Sequence, residues 1–211
     1  MLIDHVAWAF VPTASLLGQV MHFIGRFTGP TMAFFAAEGY IHTRSVKKYL
    51  LRMGLFALLS WPAYSLFETG RPLELQFGVI YTLFLGLLTI LLWDRSDLPR
   101  GAKVTLTVLI CVFSLLGDWP VFDVLWPLFF FLFREDEKRK WRAYYLVALG
   151  MVPFMLAEEP FWAGAFHLGA FAVPLVLRYC YNGESGSRAP FHKWFFYVFY
   201  PLHLLILGLL K

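Results

Sequence analysis

Long uncharged apolar runs alternate with short islands of arginine and lysine, and this alternation restricts the fold more than any other feature of the chain. A bilayer crossing needs roughly 20 mostly apolar residues, with about 17 as a floor. Four runs reach that length unaided: 5–25, 76–93, 160–177 and 194–210. Five shorter ones, at 27–37, 53–66, 104–117, 126–133 and 143–157, reach it once flanking aromatics and snorkelling basic side chains are included. The spacing therefore predicts an all-α, polytopic integral membrane bundle of about nine transmembrane segments. It forms a single domain over residues 1–211, with no repeat or low-complexity tract. Pro12, Thr13 and Ser15 interrupt the first run.

Composition agrees. Only 15% of the residues are charged, while 59% are hydrophobic; a soluble domain averages about 25% charged. So much apolar surface does not fit inside one or two soluble cores of this length. The basic pI of about 9.1 does not point to nucleic acid, because the cations sit in islands between apolar runs rather than along one face. With nine segments and a cytoplasmic N-terminus, 15 of the 18 basic residues fall on one side. They are Arg44, Lys47, Lys48 and Arg52; Arg95, Arg100 and Lys103; Arg134, Lys138, Arg139, Lys140 and Arg142; and Arg178, Arg188 and Lys193. The other side keeps Arg26, Arg71 and Lys211 beside Glu68, Glu74, Asp118, Asp123, Glu158 and Glu159. This asymmetry predicts a multi-pass membrane protein with its basic loops on the cytoplasmic side. The mixed-sign run 134–140 reads as a solvated connector. Cys111 lies in an apolar run and Cys180 beside a basic loop, so neither a disulfide nor a metal pair is expected.

Ionisable residues within apolar runs are costly in lipid and therefore mark function. Asp4-His5 heads the first run; a carboxylate beside a histidine suits general-base chemistry, although adjacent helical residues point about 100° apart, leaving Asp4 free to act through water or on another partner. An interfacial pair that merely meets water is the alternative. Glu38 and His42 share a helix face and can pair. Arg44, Lys48 and Arg52, at i, i+4 and i+8, make a basic stripe fit for phosphates or for lipid headgroups. Arg26 faces either a substrate or one of Asp118 and Asp123. In the last helix Pro201 frees a carbonyl near His203, a residue that either stabilises a kink or lines the site beside Tyr200. His167 reads as a packed residue, and no pair of histidines has zinc-ligand spacing, so no metal is expected.

The Asp4-His5 pair, IGR at 24–26, GP at 29–30, FFAAEGYIHTRS at 34–45, KKYLLR at 47–52, FALLSWPAY at 56–64 and FFYVFYPLHLLIL at 195–207 together resemble the TraX family. These motifs spread over most of the chain. The resemblance implies a transmembrane acyltransferase, since TraX proteins are known as acetylases of the N-terminal amine of conjugative pilin. It implies acetyl-CoA as donor, His5 as base and Asp4 as its support. Arg44, Lys48, Arg52 and His42 would then hold the donor's phosphates, and Arg26, Glu38, Tyr40, Tyr200 and His203 would line the site. The acceptor would be pilin or another protein, a glycan or a small molecule. Family members carry more apolar sequence ahead of the Asp-His pair. The resemblance therefore implies that the first helix is shortened here, or that the true start lies upstream, with His5 deep or toward the outer side. Two other readings stand beside catalysis: a non-catalytic membrane subunit of a conjugation or secretion apparatus, and a small-molecule transporter. The absence of an inverted repeat weighs against the transporter.

Overall fold

The structure is a computed structural model that describes residues 1–157, 160–184 and 190–211; Glu158, Glu159 and Arg188 of the charge map lie outside these. Every apolar run forms helix, and among the described residues there is no strand beyond an isolated bridge between Phe77 and Gly117. The α-helices are α1 (Leu2–Phe10), α2 (Leu16–Gly25), α3 (Thr28–His42), α4 (Val46–Thr69), α5 (Val79–Arg95), α6 (Arg100–Ser114), α7 (Phe122–Leu132), α8 (Glu137–Ala148), α9 (Val152–Ala157), α10 (Gly169–Cys180) and α11 (Pro190–Leu210). Leu149–Met151 and Phe161–Leu168 are 3₁₀ segments that continue into α9 and α10.

Among the described residues, two helical stretches are long and apolar enough to cross a membrane, Val46–Thr69 and Trp162–Cys180, with Phe122–Leu132 and Trp194–Leu210 apolar but shorter. Large apolar side chains point outward from many helices. Along α6, Val104, Val108, Leu109, Val112 and Phe113 are exposed at successive turns, as are Leu51, Leu55, Leu58 and Leu59 on α4. Water would not tolerate such stripes; hydrocarbon does.

The first run departs from expectation. In place of one span leading from a cytoplasmic N-terminus to Gly25, it is two helices packed together. Pro12 forces the break: the residue before it, Val11, is extended (φ −121°, ψ 127°), as a pre-proline residue prefers. Ser15 then restarts the helix, donating its hydroxyl to the Pro12 carbonyl at 2.7 Å and accepting from the Gly18 amide at 3.0 Å. At nine and ten residues, α1 and α2 are each about 15 Å long or less, half a hydrocarbon core. The chain therefore returns, and the Met1 amine donates to the Thr28 hydroxyl at 2.8 Å.

Two other expectations are corrected. Arg44 is not on a helix with Lys48 and Arg52, because α3 ends at His42 and α4 starts at Val46. The intervening Thr43 and Ser45 hydroxyls take backbone amides, that of Thr43 the Ser45 amide and that of Ser45 the Lys48 amide, which stops one helix and caps the next. The charged run 134–140 is only half a connector: Asp136 accepts from the Arg139 amide at 3.0 Å as a cap, and Glu137 to Lys140 form the first turn of α8.

The chain groups into two compact units, each assembled from separate segments: residues 1–28, 60–74 and 149–211 in the first, 29–59 and 75–148 in the second. In the second unit α5 and α7 touch at Gly86, where a Cβ would overlap the Asp123 carbonyl and lie 3.0 Å from Pro127 Cγ. Nearby, Trp126 stacks on Tyr144 (5.2 Å, 15°) and donates its indole N–H to the Tyr144 carbonyl at 3.2 Å. Tyr40 donates to Asp94 at 2.8 Å, joining α3 to α5. Gly86→Leu is therefore expected to force α5 from α7 and cost at least about 1–3 kcal/mol as an overpacked contact, read as a lower unfolding temperature in detergent.

Candidate functional site

The first unit holds the densest buried polar group. Because α1 and α2 run back along each other, the N-terminal turn of α1 lies against the C-terminal turn of α2. That places Asp4, in the first turn of α1, beside Arg26 at the C-cap of α2. Each charge also sits at the helix end whose dipole favours it. Asp4 accepts from His22 Nδ1 at 2.7 Å on one carboxylate oxygen and from Arg26 Nη2 at 3.2 Å on the other. His22 and Arg26 are one helical turn apart on α2, so a single carboxylate engages both. Gly25 permits this approach, since a Cβ there would overlap the Asp4 carboxyl group.

His22 has no exposed surface, and its ring lies between Trp8 (4.2 Å) and Phe166 (5.1 Å). The Arg26 guanidinium also lies over Phe166, at 5.1 Å. Phe166 is held in turn by Gln19 of α2. Gln19 accepts from the Phe166 amide at 3.0 Å and donates at 2.7 Å to both the Thr13 and Ala163 carbonyls. One neutral amide thereby satisfies backbone groups of the 3₁₀ segment that lipid could not.

His5 faces the other way round α1. Its Nδ1 lies 2.9 Å from His203 Nε2, and its ring meets the edge of Phe67 (5.3 Å, 77°). His203 Nδ1 is 2.7 Å from the Phe199 carbonyl, its ring stacks on Phe199 (4.9 Å, 14°), and the buried Tyr200 ring is 5.8 Å away. His5 is 8% and His203 5% exposed, so both are effectively shielded.

Several sequence expectations meet here. Asp4, His5, Arg26, Tyr200 and His203 do come together. The hydrogen bonds of Asp4, however, go elsewhere than His5: the 100° between adjacent helical residues turns its carboxylate to His22 and Arg26. A carboxylate that Arg26 meets is thus that of Asp4. Asp123 is fully buried in the second unit, 3.4 Å from the Thr82 hydroxyl. His22 and Gln19 carry interactions that the sequence reading gave no role. Their signal was the Pro12–Ser15 break, which makes a hairpin of what read as one run.

The remaining expected residues belong to the second unit. Glu38 and His42 pair at 3.4 Å, as their spacing implies. Tyr40 is buried and committed to Asp94. Arg44 and Lys48 are exposed, and Arg52 is half-buried with its guanidinium 5.3 Å over the Tyr49 ring. His167 stacks on Phe166 at 4.2 Å. Among the described residues no three His, Cys, Asp or Glu side chains converge as metal ligands would.

Fold and site define a class first: an all-α protein with an apolar exterior and a buried cluster of carboxylate, arginine and three histidines. The match to known proteins is specific. Residues 1–211 fit the family model described as TraX protein, and the chain belongs to the TraX family. A similar protein is "Probable fimbrial assembly protein FimC, serogroup H1" of Dichelobacter nodosus, 30% identical over 221 residues that cover 98% of this chain and 89% of that protein. No solved structure matches.

Removing the Asp4 carboxylate takes away the anion that His22 and Arg26 share. Asp4→Ala is expected to cost about 3–5 kcal/mol, measured as reduced thermal stability in detergent. Asp4→Ala with Arg26→Leu should lose less than the sum of the two single changes.

Proposed function

We propose that this chain is a membrane-embedded acyltransferase that moves an acetyl group from acetyl-CoA to an amine or hydroxyl acceptor. The observation that carries this reading is the His5–His203 pair, beside the Asp4–His22–Arg26 cluster, within a shell of apolar helices. Membrane helices bear the cost of such groups where chemistry requires them. Acyl transfer requires a base for the attacking group and donors for the oxyanion. In the reaction the acceptor N–H or O–H gives its proton to His5, the acceptor–acyl bond forms, and the thioester C–S bond breaks. The proton then passes to the departing thiolate. Arg44, Lys48, Arg52 and His42 carry or border the exposed positive charge that suits the donor's phosphates.

Topology follows from the positive-inside rule applied to this fold. Basic residues crowd the α3–α4 connection, so α4 starts at the cytoplasmic side. Its far end, at Phe67, meets Lys211 at the end of α11, with the ammonium 5.1 Å from the ring centroid. Thr28, at the start of α3, meets Met1. Both chain ends then lie on the outer side of the inner membrane, the N-terminal hairpin does not cross, and the eight later runs do. His5, one helical turn from Met1, sits near that outer side. An acceptor presented from outside, such as the free amine of a pilin subunit, fits that placement and the family.

A second reading, a non-catalytic membrane subunit of pilus assembly, is favoured by the name of the fimbrial relative. Reconstituted chain and labelled acetyl-CoA separate the two. With a peptide bearing a free α-amine, wild type is expected to transfer label and His5→Ala to lose on the order of 10²–10⁴ in turnover. Equal rates would remove His5 from the reaction. No transfer by either chain, with pilus assembly intact in cells carrying either, would favour the subunit.

A further inference from the structure

Asp4 is spent on His22 and Arg26, so something else must orient His5 if His5 is the base. The hydrogen bonds around His203 name it. A carbonyl oxygen only accepts, so the 2.7 Å approach of His203 Nδ1 to the Phe199 carbonyl places a proton on that nitrogen. The oxygen has two lone pairs and can take this bond beside its helical one. With one proton on the ring, His203 Nε2 is an acceptor. The atom 2.9 Å from it is His5 Nδ1, which must therefore donate. A donating Nδ1 leaves His5 Nε2 as the nitrogen that takes and releases a proton. The ring's orientation is fixed as well, by the Phe67 edge on one side and by His203, itself stacked on Phe199, on the other.

We propose that His203 is the positioning residue of the site, fixing the tautomer and angle of His5 through the chain Phe199 carbonyl, His203, His5. This inference rests on the acyltransferase reading, in which His5 Nε2 accepts the acceptor's proton as the acyl bond forms. It assigns to a neutral histidine and a helix carbonyl the task that a carboxylate performs in the serine hydrolases. It also gives the YPLHL ending a reason to hold its histidine four residues after Phe199.

The test uses the full chain in nanodiscs with ¹⁵N-labelled histidine, comparing wild type with His203→Gln and His203→Leu. Glutamine can accept from His5 through its carbonyl oxygen and donate to Phe199 through its amide; leucine can do neither. The wild-type spectrum is expected to show the His5 proton on Nδ1, and His203→Gln to keep it there. His203→Leu should move part of it to Nε2. In transfer assays His203→Leu should lose at least about tenfold in kcat with KM little changed, while His203→Gln recovers most of the loss. In a His5→Ala background neither change should add a further loss. A wild-type His5 proton on Nε2, or a His203→Leu kcat equal to wild type, overturns the proposal. Should His203→Leu fail to fold, His203→Gln still decides: loss of the Nδ1 proton or of turnover in a folded protein overturns it. If the wild-type chain transfers no acetyl, the reaction itself is overturned and the positioning role with it; the tautomer spectrum then reports the hydrogen-bonded pair separately.

Discussion

The site of this protein is organised around one buried carboxylate. Asp4 sits at the start of a nine-residue helix that is too short to be stable alone in water. Its two bonds to α2, one to His22 and one to Arg26, fix the hairpin that the Pro12 break begins. Once α1 is pinned in that rotation, its next residue, His5, must face α11 rather than α2. Trp8, a turn further on, covers the His22 ring. The direction of one side chain thus decides which partner every neighbouring polar residue meets.

The same economy holds elsewhere in the first unit. In a low-dielectric surround an unmet polar group costs far more than the net worth of a met one, and the helices answer with side chains that satisfy several groups each. Gln19 serves three backbone groups. Ser65 donates to the Arg71 carbonyl at 2.6 Å and accepts the Glu74 amide at 2.9 Å, closing the turn that follows α4. The outward faces carry leucine, valine and phenylalanine instead.

Much of the fold was legible in the sequence because apolar run length is a physical requirement of lipid. Most described residues of the nine apolar runs are helical, but among the described residues two helical stretches are long and apolar enough to cross a membrane, so nine spans are not established. The Glu38–His42 pair was legible because i, i+4 spacing fixes geometry within one helix. What failed were inferences that assumed a helix continued. Pro12 with Ser15 turned one run into two, and Thr43 with Ser45 detached Arg44 from Lys48 and Arg52. Of the expected site residues, Asp4, His5, Arg26, Tyr200 and His203 share one unit, while Glu38, Tyr40, His42, Arg44, Lys48 and Arg52 lie in the other. The pairings in the first unit were not legible, because adjacency in sequence places Asp4 and His5 on different faces of α1. Which distant residue each face meets depends on tertiary packing that periodicity does not encode.

His5 and His203 are separated by 198 positions. Closing so long a loop is entropically slow to reward, and α11 leaves the ribosome well after α1. Residues 29–59 and 75–148 group into a compact unit that contains neither His5 nor His203. During synthesis the basic face and the α5–α7 packing can therefore be complete while the histidine pair does not yet exist. The His5–His203 contact therefore forms only once α11 has been made, and a chain that stops before His203 holds the α5–α7 packing without it.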